Sequence, residues 1–163
     1  MADRLYTSNE ADEVLSALRF QTKLEKATLA RMAFALSLAK EGPDVAKSSS
    51  FSGGEMKRPT FVGEDEVFMR ALICHVYQKR DIDEDRFFSN RSIVKNHIDS
   101  GADLLGRLFQ ECGRDADSLL MRLVDEVEFG GRRETAGHGL DIFIGRTLLQ
   151  QDELIMEINN TAK

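Results

Sequence analysis

Apolar residues recur along this chain mostly at helical spacing, apart from a short strand-like start and two β-like runs near the end. Arg4-Leu5-Tyr6-Thr7 opens as a short strand-like segment. Thr7-Ser8-Asn9-Glu10 then has the spacing of a capping box, in which Thr7 and Glu10 satisfy each other's free backbone donors. The helix that follows sets Ala11, Val14, Leu15 and Leu18 on one face. A second helix is predicted from about Glu25, with Leu29, Met32, Ala33 and Leu36 as its stripe and Gly42-Pro43 as its terminator. The chain therefore starts as strand, helix, helix.

From Val45 to Val62 the pattern becomes a Ser/Gly-rich loop with heavy punctuation: Gly53-Gly54, the basic pair Lys57-Arg58, Pro59 and then Gly63. A third helix is predicted after Gly63, with Glu64, Asp65 and Glu66 complementing the positive end of its dipole. Its body, VFMRALICHVY, is apolar almost all round, which predicts the buried central helix. A fourth, long helix carries Phe87, Arg91, Val94, Ile98, Gly101, Leu105, Leu108 and Cys112 at alternating steps of four and three. That is a narrow seam suited to close packing, centred on Val94, Ile98, Gly101, Leu105 and Leu108. Gly101 costs a helix about 1 kcal/mol relative to Ala, so a tight crossing is expected there, within the fold or across a subunit interface. A fifth helix carries Leu119, Leu120, Leu123, Val124 and Val127.

After Phe129 a polar linker, GGRRETAGHG, leads into two β-like runs around a QQDE turn. A lone hairpin is barely stable, so these runs pack on the helical body or begin a domain that the chain does not complete. The fold class is mainly α: a ribbon-helix-helix-like start (short strand, two helices), a helical bundle, and a short C-terminal β-hairpin extension. The boundaries fall at 3–112 for the helical domain, 113–129 for the additional helix, and 130–163 for linker and extension.

The chain has 163 residues, 42% of them hydrophobic, which suits one soluble domain, or one domain plus a piece of another. No apolar run approaches the roughly 18 residues of a membrane span. With no signal segment, Cys74 and Cys112 read as reduced cytoplasmic thiols. The net charge of −6 argues against a generally sticky nucleic-acid binder, yet it hides a gradient. Between Arg19 and Arg58 lie eight bases and four acids, whereas six bases and ten acids follow from Gly113 onward. A positive front on an acidic body is compatible with docking on phosphates.

Evidence for catalysis is lacking. His75, His97 and His138 show no metal-ligand spacing, and His75 and His97 are expected to pack between helices with a backbone or carboxylate partner. Ser52-Gly53-Gly54-Glu55-Met56-Lys57 lacks the spacing of a phosphate loop. The acids Asp81, Asp83, Glu84 and Asp85 cluster where a helix start accounts for them. No enzyme activity, metal or cofactor is expected. The strand-helix-helix start has a functional counterpart, because ribbon-helix-helix proteins pair such strands between two chains and dock on DNA.

Three segments read together resemble the DndE family of small DNA-sulfur-modification proteins: LARMAFALSLAKEGP (29–43), GGEMKRPTFVGEDE (53–66) and NHIDSGADLL (96–105). The matching positions are Arg31 with Leu36-Ser37-Leu38; Gly54-Glu55 with Arg58, Thr60, Gly63 and Glu64; and His97 with Gly101 and Leu105. The resemblance covers roughly residues 3 to 112. It implies a helical protein that assembles as a homo-oligomer, a tetramer, and binds duplex DNA, notably nicked DNA, through lysines. It further implies an accessory role beside other phosphorothioation-system proteins, in the bacterial machinery that replaces a non-bridging phosphate oxygen with sulfur. The DNA-binding candidates are then Arg19, Lys23, Lys26, Arg31, Lys57 and Arg58. The sequence departs from the family pattern at the first inter-helix turn, which lacks its glycine, at Lys57-Arg58 in place of Asn-Arg, and at Ser100-Gly101 in place of Arg-Gly. The tail from Ile142 is similar to the lead-in of HerA/FtsK-type DNA-pumping ATPases. The alternative function is an oligomerising adaptor without DNA contact, docking such an ATPase or a modification enzyme through the Phe87–Cys112 seam.

Overall fold

The computed structural model describes residues 3–130, with side chains as far as residue 125. The expected linker and β-hairpin, the ATPase-like lead-in and His138 lie outside the described residues. Within them the chain runs β1 (Arg4–Tyr6), α1 (Asn9–Thr22), α2 (Lys26–Lys40), β2 (Glu55–Lys57), α3 (Arg58–Val62), α4 (Glu66–Val76), α5 (Glu84–Phe87), α6 (Ile93–Glu111) and α7 (Ala116–Gly130). The fold is mainly helical, with a short strand at its start.

β1 pairs antiparallel with β2, in the register Arg4↔Lys57, Leu5↔Met56, Tyr6↔Glu55. The strand that a ribbon-helix-helix dimer would pair across two chains is thus paired within this one. The ribbon continues through Thr7, whose N–H donates to the Gly54 carbonyl at 3.1 Å and whose carbonyl accepts from Gly53 N–H at 3.0 Å. This corrects the expected capping box. Thr7 still belongs to the ribbon, so Ser8 becomes the N-cap, its Oγ accepting from Ala11 N–H at 3.1 Å. A glycine is needed at position 53, because a Cβ there would lie 2.2 Å from the Ser8 carbonyl oxygen.

The central helix is α2, not the one in VFMRALICHVY. α2 buries Leu29, Ala30 and every residue from Met32 to Leu38, and its alanines let neighbours approach from several sides. α4 buries only Met69, Leu72 and Ile73, while Val67 is 81% exposed. α6 packs along α2 more extensively than any other pair of elements. At their crossing a Cβ on Gly101 would fall 1.8 Å from the Ala33 carbonyl oxygen. Val94, Ile98, Gly101, Leu105 and Leu108 are all buried in this one chain. The tight crossing that Gly101 predicted is intrachain, and the seam proposed for an adaptor is occupied by α2.

The expected single helix from Phe87 to Cys112 is interrupted. α5 ends at Phe87, and α6 begins after Ser92, whose Oγ accepts from Lys95 N–H at 3.1 Å. Ser89, Asn90 and Ser92 are residues that favour caps and turns over helix interiors. Residues 55–62, expected as loop, instead form β2 and α3, with Pro59 in the first turn of α3 where a missing N–H is harmless.

Candidate nucleic-acid interface

Of the six cations expected on DNA, three are engaged inside the chain. Lys26 bonds to Asp12 and reaches Ser16 Oγ at 3.3 Å. Arg31 donates from Nε to the Phe61 carbonyl at 2.6 Å and from Nη2 to that of Thr60 at 3.1 Å, capping α3 from below. Burial lowers its pKa, against the opposing field of Asp65.

Arg58 is the most thoroughly bound of them. Its Nε donates to Glu66 Oε2 at 3.0 Å and its Nη1 to Glu84 Oε2 at 2.7 Å; Nη2 also bonds Glu66. Arg70 joins the same two carboxylates, and both guanidiniums lie over the Phe87 ring, at 5.6 Å for Arg58 and 4.3 Å for Arg70. The hydrogen bond from Arg58, opposed by partial burial, holds the Glu66 carboxyl below its usual range. Lys57 and Arg58 are adjacent in sequence and opposite in fate: one faces solvent at the end of β2, the other locks α3 to α4 and α5.

Arg19, Lys23 and Lys57 are exposed and have no carboxylate partner among the described residues. Arg19 and Lys23 stand at the C-terminal end of α1, with Lys23 4.6 Å over the ring of Phe20, itself 76% exposed. Lys57 belongs to the ribbon that leads into the other end of that helix, which is about 21 Å long at 1.5 Å per residue.

The family model for the DNA sulphur modification protein DndE matches residues 4–111. The chain belongs to the DndE family. No curated protein and no solved structure matches it. Membership implies a role in DNA sulfur modification, together with the other proteins of that system. The positions that carry the DndE resemblance are largely internal here: Arg31 caps α3, Arg58 holds the two-arginine, two-glutamate cluster, and Gly101 makes the helix crossing. His97, also among them, is buried between Ser37 Oγ at 2.8 Å and Tyr77 Oη at 3.0 Å. Its partners are hydroxyls, not the backbone or carboxylate group expected. In this DndE chain most of the matching residues hold the fold together; of the exposed cations, Arg19 and Lys23 lie outside the matching segments, and Lys57 lies within one at a position that departs from the family pattern.

A second basic locus escaped the sequence reading. Lys47, Arg86 and Arg91 line an open cleft of about 510 Å³, together with Ser48, Phe51 and Tyr77. The four-three spacing assigns Arg91 to a helical seam, whereas it sits before the cap of α6 and is exposed. The cap residues Ser89, Asn90 and Ser92 were the available signal. Among the described residues no helix is long and apolar enough to cross a membrane, and no three His, Cys, Asp or Glu side chains converge as a metal site.

Proposed function

We propose that this chain is a non-catalytic DNA-binding subunit of a DNA phosphorothioation system, acting as a homotetramer on duplex or nicked DNA. Membership of the family supplies the system, and the exposed, uncompensated cations Arg19, Lys23 and Lys57 supply the contact chemistry. Phosphates neutralised by these side chains release counterions, so affinity falls steeply with salt. Phe20, projecting beside Arg19 and Lys23, suits a duplex whose bases are locally exposed, as at a nick.

The test is a binding titration on intact and nicked duplex across a salt series. Arg19→Ala, Lys23→Ala and Lys57→Ala should each reduce the slope of log K against log salt by about 0.9 for every subunit that contacts the duplex. Lys26→Ala and Arg58→Ala should change stability and leave that slope alone. Absence of binding at low salt, or equal slopes in all five variants, overturns the proposal.

A further inference from the structure

We propose that the cleft between the 45–51 loop and the start of α6 binds a phosphorylated nucleotide unit, with the phosphate on Lys47, Arg86 and Arg91 and the base against Phe51. Its lining contains three exposed cations and no carboxylate. None of the three cationic side chains has an ion pair or hydrogen bond among the described residues. The acids nearest in sequence are Asp44, whose field reaches Tyr77, and Asp83, Glu84 and Asp85 of α5 and its cap, of which Glu84 is held by Arg58 and Arg70; none of them lines the cleft. Three guanidinium or ammonium groups around one cleft whose lining holds no carboxylate repel one another. An anion in the cleft removes that repulsion.

The walls are held in place before any ligand arrives. Ser48 N–H donates to Asn96 Oδ1 at 3.1 Å, and Ser48 Oγ accepts from the buried Lys95 ammonium at 2.9 Å. Lys95 is in turn paired with Asp99, whose other oxygen accepts from Ser8 N–H at 3.0 Å. The loop is therefore tied to α6, and through Asp99 to the cap of α1. Tyr77 is fixed by its bond to His97. The first turn of the 19-residue α6 holds no acid, so its positive end adds to the same field where Ile93 meets the cleft.

The remaining lining decides what kind of anion fits. Phe51 is 38% exposed and lies 5.2 Å from the Lys95 ammonium. A bare phosphate leaves this ring and most of the 510 Å³ unused, whereas a nucleotide fills both, its base stacking on the aromatic face. The same chemistry comes from a free mononucleotide or from the phosphorylated end of a DNA strand. It uses none of the residues assigned to duplex binding, so either proposal can fail alone.

The experiment is calorimetric titration of the full chain with dAMP, deoxyadenosine, inorganic phosphate, and a six-nucleotide strand with or without a 5′-phosphate. Expected is binding of dAMP at least tenfold tighter than of deoxyadenosine. The Arg86→Ala/Arg91→Ala protein should lose at least tenfold in dAMP affinity with an unchanged melting temperature, since both side chains are exposed and unpaired. Phe51→Leu should weaken dAMP several-fold without affecting inorganic phosphate. Arg19→Ala/Lys23→Ala should leave dAMP binding intact. A preference for the 5′-phosphorylated strand over dAMP identifies a strand end as the source; the reverse identifies the free nucleotide. Equal affinity for dAMP and deoxyadenosine, or a double variant that binds dAMP as the parent does, overturns the inference. Should that variant melt early, Lys47→Ala, on a different segment, must show the same loss, and its failure to do so is equally decisive.

Discussion

His97 shows what a single buried side chain contributes here. The Ser37 hydroxyl donates to Glu41 Oε2 at 2.6 Å, so towards the ring it can only accept, which puts the imidazole proton on Nδ1. Nε2 then accepts from Tyr77, and Ser100 Oγ donates to the other Glu41 oxygen at 2.8 Å. Every polar atom in this chain of bonds is satisfied while the imidazole is neutral. Burial drives the His97 pKa down to about 4, in spite of the opposing field of Glu41. The unfolded chain, with a histidine near 6.5, binds the proton first, so stability is whole above about pH 6.5, declines as pH falls towards 4, and levels off below that. The loss is on the order of 3 kcal/mol. Urea unfolding at intervals between pH 7 and 4 should show a steeper decline for the parent than for His97→Gln, and matching declines would refute it. The sequence marked His97 as a packing residue because it sits in a helical run without metal-ligand spacing. Its partners were illegible, because Tyr77 and Ser37 lie 20 and 60 positions away and no local periodicity registers them.

At the scale of elements, Gly101 was the most informative letter in the chain. A helix keeps a glycine at its centre at a cost of about 1 kcal/mol, and close approach to the Ala33 carbonyl is the compensation. Alanine at 101 would place its methyl against backbone that no rotamer change can move, so α6 must lift off α2. The expected loss is roughly 3 kcal/mol, at the upper end of overpacking effects. Gly106 in the same helix is the control: the added Cβ would meet only the Val14 Cγ1 atom, at 2.9 Å, and a gain in helix propensity offsets that crowding. Denaturation midpoints should drop sharply for Gly101→Ala and hardly move for Gly106→Ala; equal midpoints would mean the crossing is looser than described. Helical periodicity located α1, α2, α4 and α7 within a few residues, and α6 at its C-terminal end. It misjudged which helix is central, because apolar content points to α4 whereas the small side chains of α2 decide how many neighbours can close around it. It also read through the break before Ile93, where capping serines outweigh a continuous apolar spacing.

For the whole molecule, a net charge of −6 must be reconciled with the polyanionic partner proposed above. The gradient legible in the sequence overstated the available positive charge, since a count of bases cannot show that Lys26 and Arg58 face carboxylates inside the fold or that Arg31 caps a helix. Of the six candidates Arg19, Lys23 and Lys57 are free, so this surface offers three such contacts per chain, which corresponds to a salt slope of about −2.7 at 0.9 per phosphate. So few contacts hold DNA poorly against the repulsion of an acidic body, and self-association is the means by which the proposed function multiplies them. Two subunits of a tetramer on one duplex would bring the slope to about −5. Sedimentation fixes the assembly state, and the slope measured at protein concentrations above and below the assembly threshold should steepen about twofold as subunits join. The seam of α6 is already filled by α2, so assembly must use other surfaces, and a slope that stays near −2.7 in the assembled protein would mean that its copies do not present their cations to the same DNA.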